Sequence, residues 1–202
     1  MQSKTAQLLK SRLRKNFGDD YGTQWSDALL EKIIIEAQRE YAVYTGCLVG
    51  KFSVISALSP VQNLPEDFFR IIRILDNTGQ EIPVISFRKL ADMYEDFRSI
   101  RGSQAKSVCF NFDGFGKFRL FPVLPENTFV GTAIYSRLPH DNLLEVKNIY
   151  AVEQHALFQM YQFTGKKQAQ ICYSAFIDQV NRDISENHAS GNKHISRTGV
   201  YF

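Results

Sequence analysis

Cysteine is scarce in this chain, and the little there is lies scattered. Cys47, Cys109 and Cys172 are the only three among 202 residues, an odd number spread at wide intervals. That excludes a disulfide framework or a zinc site and fits reduced, buried thiols in a cytosolic product. Long apolar runs are missing as well. Nothing approaches the roughly 18 residues of a membrane span, so no membrane partner is expected. The first fifteen residues carry Lys4, Lys10, Arg12 and Arg14 but lack the apolar core of a secretory signal, which argues against export by that route. Excess charge of one sign is also absent: 24 Lys and Arg face 21 Asp and Glu. The small positive surplus sits at the two ends. Residues 1–24 hold five basic and two acidic side chains, and residues 165–202 hold five and three. A field that weak does not demand a nucleic-acid partner.

Aromatic residues, by contrast, are plentiful, with 16 Phe and 9 Tyr. A chain of this length and composition builds its own core without metal or disulfides. Residues 4–15 place Leu8, Leu9 and Leu13 at helical spacing among bases. A second helix over 27–45 is signalled by Ser26 as cap, Asp27 in the first turn, and Trp25 stapled on Leu30. Leu30, Ile33, Ile34, Ala37, Tyr41 and Tyr44 form its apolar face, and Gly46 ends it. The period then changes. Val49, Phe52, Val54 and Ile55 read as a strand closed at Ser59-Pro60. Two β-rich runs flank Asp76-Asn77-Thr78-Gly79 as a hairpin, and 87–97 reads as a helix behind Ser86. A second hairpin turns at Asp113-Gly114-Phe115-Gly116, and a strand follows over 129–136. Helical spacing resumes at Leu144 and runs to Thr164-Gly165, before a last helix over 166–187.

The expected fold is therefore α+β: a helical bundle formed by the N- and C-terminal helices, with a small antiparallel β subdomain inserted. The divisions are 1–46 for the N-terminal helices, 47–140 for the β-rich insert, 141–187 for the closing helical pair, and 188–202 for an extended tail.

Chemistry-bearing patterns fail one by one. No two of His140, His155, His188 and His194 lie at metal-ligand spacing, so no metal is expected, and His155 reads as a core histidine. Gly165-Lys166-Lys167 lacks the earlier Gly and the following Ser or Thr of a phosphate-binding loop, since Met160 and Lys167 hold those places. There is no Gly-x-Ser-x-Gly elbow, and Glu36, Glu40, Asp92, Glu95 and Asp96 read as solvated helix faces. Neither an enzyme nor a cofactor is expected. The stretch 114–121 approaches an RNA-binding aromatic signature, but Lys117 displaces its Phe by one residue, which turns the following side chains to the other strand face. A nucleic-acid-binding module using the basic first helix and this hairpin stands as the alternative function.

The order of segments is informative. The run WSDALLEKIIIEAQREYAVYTG, the segment LPEDFFRIIRI before a turn, the passage FRLFPVLPENTFVGTAIYSRLP, and the closing NIYAVEQHALFQMYQFTGKKQAQICYSAFIDQVNRDI together resemble phage head-to-tail connector (adaptor) proteins. The insert is most similar to ring proteins of short-tailed phages, including the crAss-like group. The resemblance implies a structural virion protein, assembled in the host cytoplasm as a homo-oligomeric ring, commonly a dodecamer. It implies a portal protein on one side, tail or further ring proteins on the other, and genomic DNA passing without sequence-specific contact. Ring contacts are heterologous, and the mixed-charge faces of helices 27–45 and 166–187 are candidates. In the tail, Lys193, Ile195, Arg197, Val200, Tyr201 and Phe202 supply aromatic, aliphatic and basic anchors for the portal or a neighbouring subunit.

Overall fold

Helix α2 (Asp27–Thr45) shows how locally written signals set its limits. The Ser26 side chain accepts a hydrogen bond from the Leu29 amide at the start, and Gly46 closes the end in the left-handed region at φ 61°, returning its N–H to Ala42. A computed structural model describes residues 4–56, 59, 61–101, 108–141 and 144–189 of the chain. Contacts divide it into two units. One takes the described residues up to Leu48 and from Leu138 onward; the other is Val49–Arg137.

The first unit packs α1 (Lys4–Phe17), α2, α4 (Ile149–Phe163) and α5 (Gln168–Ala189) around one core. Ion pairs Lys10–Glu31 and Arg14–Asp27 rise along one helix as they fall along the other, so α1 and α2 run antiparallel. Four residues separate α4 from α5, which makes them antiparallel neighbours. Leu9, Leu13, Leu30, Ile34, Ala37, Val152, Ala156, Met160, Phe176 and Val180 fill the interior. Helical spacing predicts an α4 that begins near Leu144; the helix starts instead behind Asn148, whose side chain accepts from the Ala151 amide at 3.0 Å. Leu144 and Val146 still pack on the core, so the apolar pattern reported burial and not helix.

The second unit holds two three-stranded antiparallel sheets. One orders β1 (Val49–Ile55), β6 (Val130–Arg137) and β3 (Phe68–Asp76) as β1-β6-β3; the other orders β2 (Val61–Asn63), β5 (Lys117–Phe121) and β4 (Cys109–Phe112) as β2-β5-β4. Their inner faces share Val54, Ile74, Ile82, Phe110, Phe118, Leu120 and Ala133. Alternation along the second sheet sends Cys109 and Phe121 to its opposite face, where Leu90 of α3 (Phe87–Met93) and Phe97 cover them. The short β2 has no counterpart in the sequence reading, and Pro60 lies outside the described residues. The expected helix over 87–97 stops at Met93, because Tyr94 is already extended at φ −144°.

The turn at Asp76–Gly79 forms as the sequence suggests: Asp76 Oδ1 accepts from the Thr78 and Gln80 amides at 2.8 and 2.9 Å. Its return arm is not a strand. After one bridge at Glu81 the chain crosses from β3 to β4, where Val84 bridges Phe110 in parallel and Phe110 donates its N–H to Pro83. Pro83 has no N–H with which to continue a ladder against β3.

Across β1 and β6, Gly50 faces Tyr135. Tyr135 is buried, stacks on Phe68 at 5.5 Å, and donates its hydroxyl to Asp67 at 2.8 Å. Burial, assisted by that bond, pushes its phenol up to about 12. A Cβ at position 50 would lie 2.5 Å from the Tyr135 ring. Gly50→Ala is therefore expected to destabilise this unit by about 1–3 kcal/mol through overpacking. Chemical denaturation reads the effect, and an unchanged midpoint would mean that Tyr135 yields freely.

Candidate interaction surfaces

Trp25 is buried at the end of the helical unit where α1 stops, α2 begins and α4 meets α5. Its ring meets Phe17 edge-on at 5.2 Å and Phe163 at 5.9 Å, and it shares the core with Leu30. Phe17 in turn stacks on Tyr161 at 5.3 Å. The loop leading into Trp25 is held by Asp19, whose carboxylate accepts from the backbone amides of Thr23, Gln24 and Trp25 at 2.8, 3.1 and 2.9 Å. Burial alone would raise the Asp19 pKa, but these bonds outweigh it and hold the carboxyl below its ordinary range. Arg14 adds a bond from its guanidinium to the Trp25 carbonyl at 2.9 Å.

Two polar groups inside the bundle went unread in the sequence. Glu153 is buried on α4, ion-paired to Arg12 and accepting from the Asn16 amide group at 2.9 Å. Burial raises its pKa, while Arg12 and Asn16 oppose the rise. At the other end of the bundle, Asp183 of α5 accepts from the Tyr41 hydroxyl and from Asn148 at 2.7 Å, joining α2, α4 and α5. Burial, with Asp183 second, raises the Tyr41 phenol far above its ordinary value. An acid within an apolar stripe is the one sequence signal that Glu153 gave. Both groups tie helices together.

His155 is buried against Phe176 at 4.6 Å and Phe158 at 5.6 Å. Its Nδ1 is buried without a hydrogen-bond partner among the described residues, so it is a core histidine but not a satisfied one. Cys109 and Cys172 are buried; Cys47 is exposed, which corrects the expectation of three buried thiols, because Cys47 follows the helix-ending Gly46. Among the described residues no group of three His, Cys, Asp or Glu is placed to hold a metal, and no helix is long and apolar enough to cross a membrane.

The 114–121 hairpin spends its aromatics on the core. Phe118 stacks on Phe110 at 4.7 Å and Phe121 is buried beside Tyr94 at 5.0 Å. Arg119 is bound to Asp113 at 2.7 and 3.0 Å. Only Phe115, at the tip, is exposed. Base stacking across this strand would need the rings that the core already uses, which removes the hairpin's part in the nucleic-acid alternative. The tail residues Lys193, Ile195, Arg197, Val200, Tyr201 and Phe202 lie outside the described residues.

No curated protein matches the chain. A family model does: the model for the SU10 adaptor protein matches residues 4–196, which takes in both units. That is a family of phage head-to-tail adaptors, with a structural role in the virion and interactions with portal and tail proteins. By that match over nearly its whole length, this chain belongs to the SU10 adaptor protein family.

Proposed function

We propose that the protein is a ring-forming head-to-tail connector subunit that binds the portal, extends the DNA channel and offers a platform for the tail. The observation that carries this reading is the family match over residues 4–196. The fold suits the task. A helical unit closed by buried polar ties, and a β unit with its own core, are each rigid enough to present fixed surfaces to different neighbours. Copies meet through heterologous, head-to-tail contacts that close by rotation, assembled in the host cytoplasm as a homo-oligomer, commonly a dodecamer. DNA passes through the ring without sequence-specific contact.

The tail after Asn187, of which residues 188 and 189 still belong to α5, is the proposed portal- or neighbour-binding segment. Ile195, Val200, Tyr201 and Phe202 supply its apolar anchors, and Lys193 and Arg197 pair with acids on the partner. Gly191 and Gly199 let it bend into a groove. The isolated protein is expected to be a monomer or loose oligomer that forms its ring on the portal. Co-expression with the portal of the same phage tests this. The full chain is expected to co-purify with the portal, and a chain truncated after His188 is expected to keep its helicity but lose attachment. Equal attachment of the truncated chain would remove the tail from the account. A stable closed ring of the isolated protein at micromolar concentration would remove the templating.

A further inference from the structure

The β unit leaves one sheet face open. In the sheet β1-β6-β3, Val54, Ile74 and Ala133 point into the core, so alternation turns the opposite phase outward. Register places Lys51, Ile134 and Arg73 in one row of that outer face, and Val49, Ser136 and Arg70 in the next. Lys51 and Thr132 are exposed, and Val130 is 49% exposed. The bases are unspent. Among the described residues none of Lys51, Arg70 and Arg73 is ion-paired, and the Arg73 Nε is buried without a hydrogen-bond partner. The one acid within the three strands, Asp76, lies in the other phase and is taken up by its own turn. Glu81 stands only at the rim, bridged to Leu75.

The far side of the same unit carries the reverse chemistry. There Leu90 and Phe97 cover the outer face of the other sheet, β2-β5-β4. With Leu90 turned inward, Asp92 follows at about 200° around the helix and faces solvent. Asp92, Glu95 and Asp96 are all exposed, and Met93 among them is 54% exposed. No base interrupts residues 90–97, and no other five-residue stretch of the chain holds three acids. With no base in its last turn, α3 gains nothing from Asp92 at that end of its dipole. The bases of this segment gather at the opposite end: Arg88 and Lys89 lie in the first turn, and Arg98 lies over the Phe87 ring at 5.0 Å. Elsewhere acids are spent within the fold, Asp27 on Arg14, Glu31 on Lys10, Glu36 and Asp141 on Arg39, and Asp113 on Arg119.

Resting on the connector reading, we propose that the β units of neighbouring copies pack head to tail, the Lys51–Ile134–Arg73 face of one receiving Met93 and the Asp92–Asp96 segment of the next. Two different, complementary surfaces on opposite sides of one subunit are what a contact repeated by rotation requires. Their opposite charge sets the order of the pair, because two basic faces brought together would repel. Val130 and Ile134 give Met93 an apolar floor between the bases. Duplex DNA would pair its phosphates with the bases but leave that floor uncovered.

The experiment places the photoreactive residue p-benzoyl-phenylalanine at position 132, in the middle strand of the open face, of the full chain co-expressed with the portal of the same phage. The proposal expects a cross-link to a second copy of this chain, within residues 87–99. It also expects Lys51→Glu and Asp92→Lys, each alone, to lower the yield of rings on the portal by about tenfold, and the two together to restore it to within about threefold. Melting temperatures should hold within about 2 °C, since both side chains are exposed. A cross-link to any other segment of a copy, to the portal, to a tail protein or to DNA would overturn the proposal and leave the connector reading standing. So would the absence of a cross-link in rings that form, or a double variant no better than the single ones. A parent chain that forms no ring on the portal would instead overturn both.

Discussion

Trp25→Ala is expected to destabilise the helical unit by about 3–5 kcal/mol, the range for emptying a buried large aromatic site. Trp25 is 4% exposed, bridges Phe17 and Phe163, and shares its cluster with Leu30 and Met160. No single neighbour can collapse into the space, because the rings on either side belong to α1 and α4. In a domain of this size the loss lowers the melting temperature by roughly 10 °C. Trp25→Phe should recover most of it, since the Trp25 Nε1 is buried without a partner among the described residues and its loss forfeits no hydrogen bond. A melt of Trp25→Ala that matches the parent would show that the aromatic end does not support the fold.

The second large effect is on pH. Burial pushes the His155 imidazole down from an ordinary 6.5 to about 4. The folded state resists protonation while the unfolded chain accepts it, so the stability in question is fully present above pH 6.5. It drains away as pH falls from 6.5 through 4, by about 3 kcal/mol in all. Glu153 works in the opposite direction, because its raised pKa lets the folded state take up a proton before the unfolded chain does. Asp19 and Asp76 have lowered pKa values and lose their contribution only below 3.8. Subtracting the pH–stability curve of His155→Phe from that of the parent therefore isolates the histidine. The difference is expected to rise by about 3 kcal/mol from its value at low pH to its plateau above 6.5. A difference that does not change with pH would mean that His155 is hydrated in the folded protein.

What could be read in the sequence was what is local. Ser26, Asp27 and Gly46 mark the ends of α2 because caps and left-handed glycines act within four residues of themselves. The Asp76 turn and the Asp113–Gly116 hairpin were legible for the same reason, and the α+β layout followed from where the apolar period changed. What escaped was pairing at long range. Glu153 finds Arg12 from the opposite end of the chain, and Asp183 finds Tyr41, yet nothing beside either acid announces its partner. The arm after Gly79 looked like a hairpin strand because its residues are β-prone; its partner, Phe110, was fixed by the sheet order. Trp25 stands beside the start of α2, and its ring neighbours Phe17 and Phe163 come from helices that only the fold brings there.

The connector account is tested most directly by cryo-electron microscopy of the neck of the virion that carries this chain. The account predicts a closed ring of copies between portal and tail. In it the described helical and β units are recognisable, the 188–202 segment contacts the portal or a neighbouring copy, and the channel runs through the centre. A neck whose ring is built entirely from other proteins, with this chain elsewhere or absent, would contradict it.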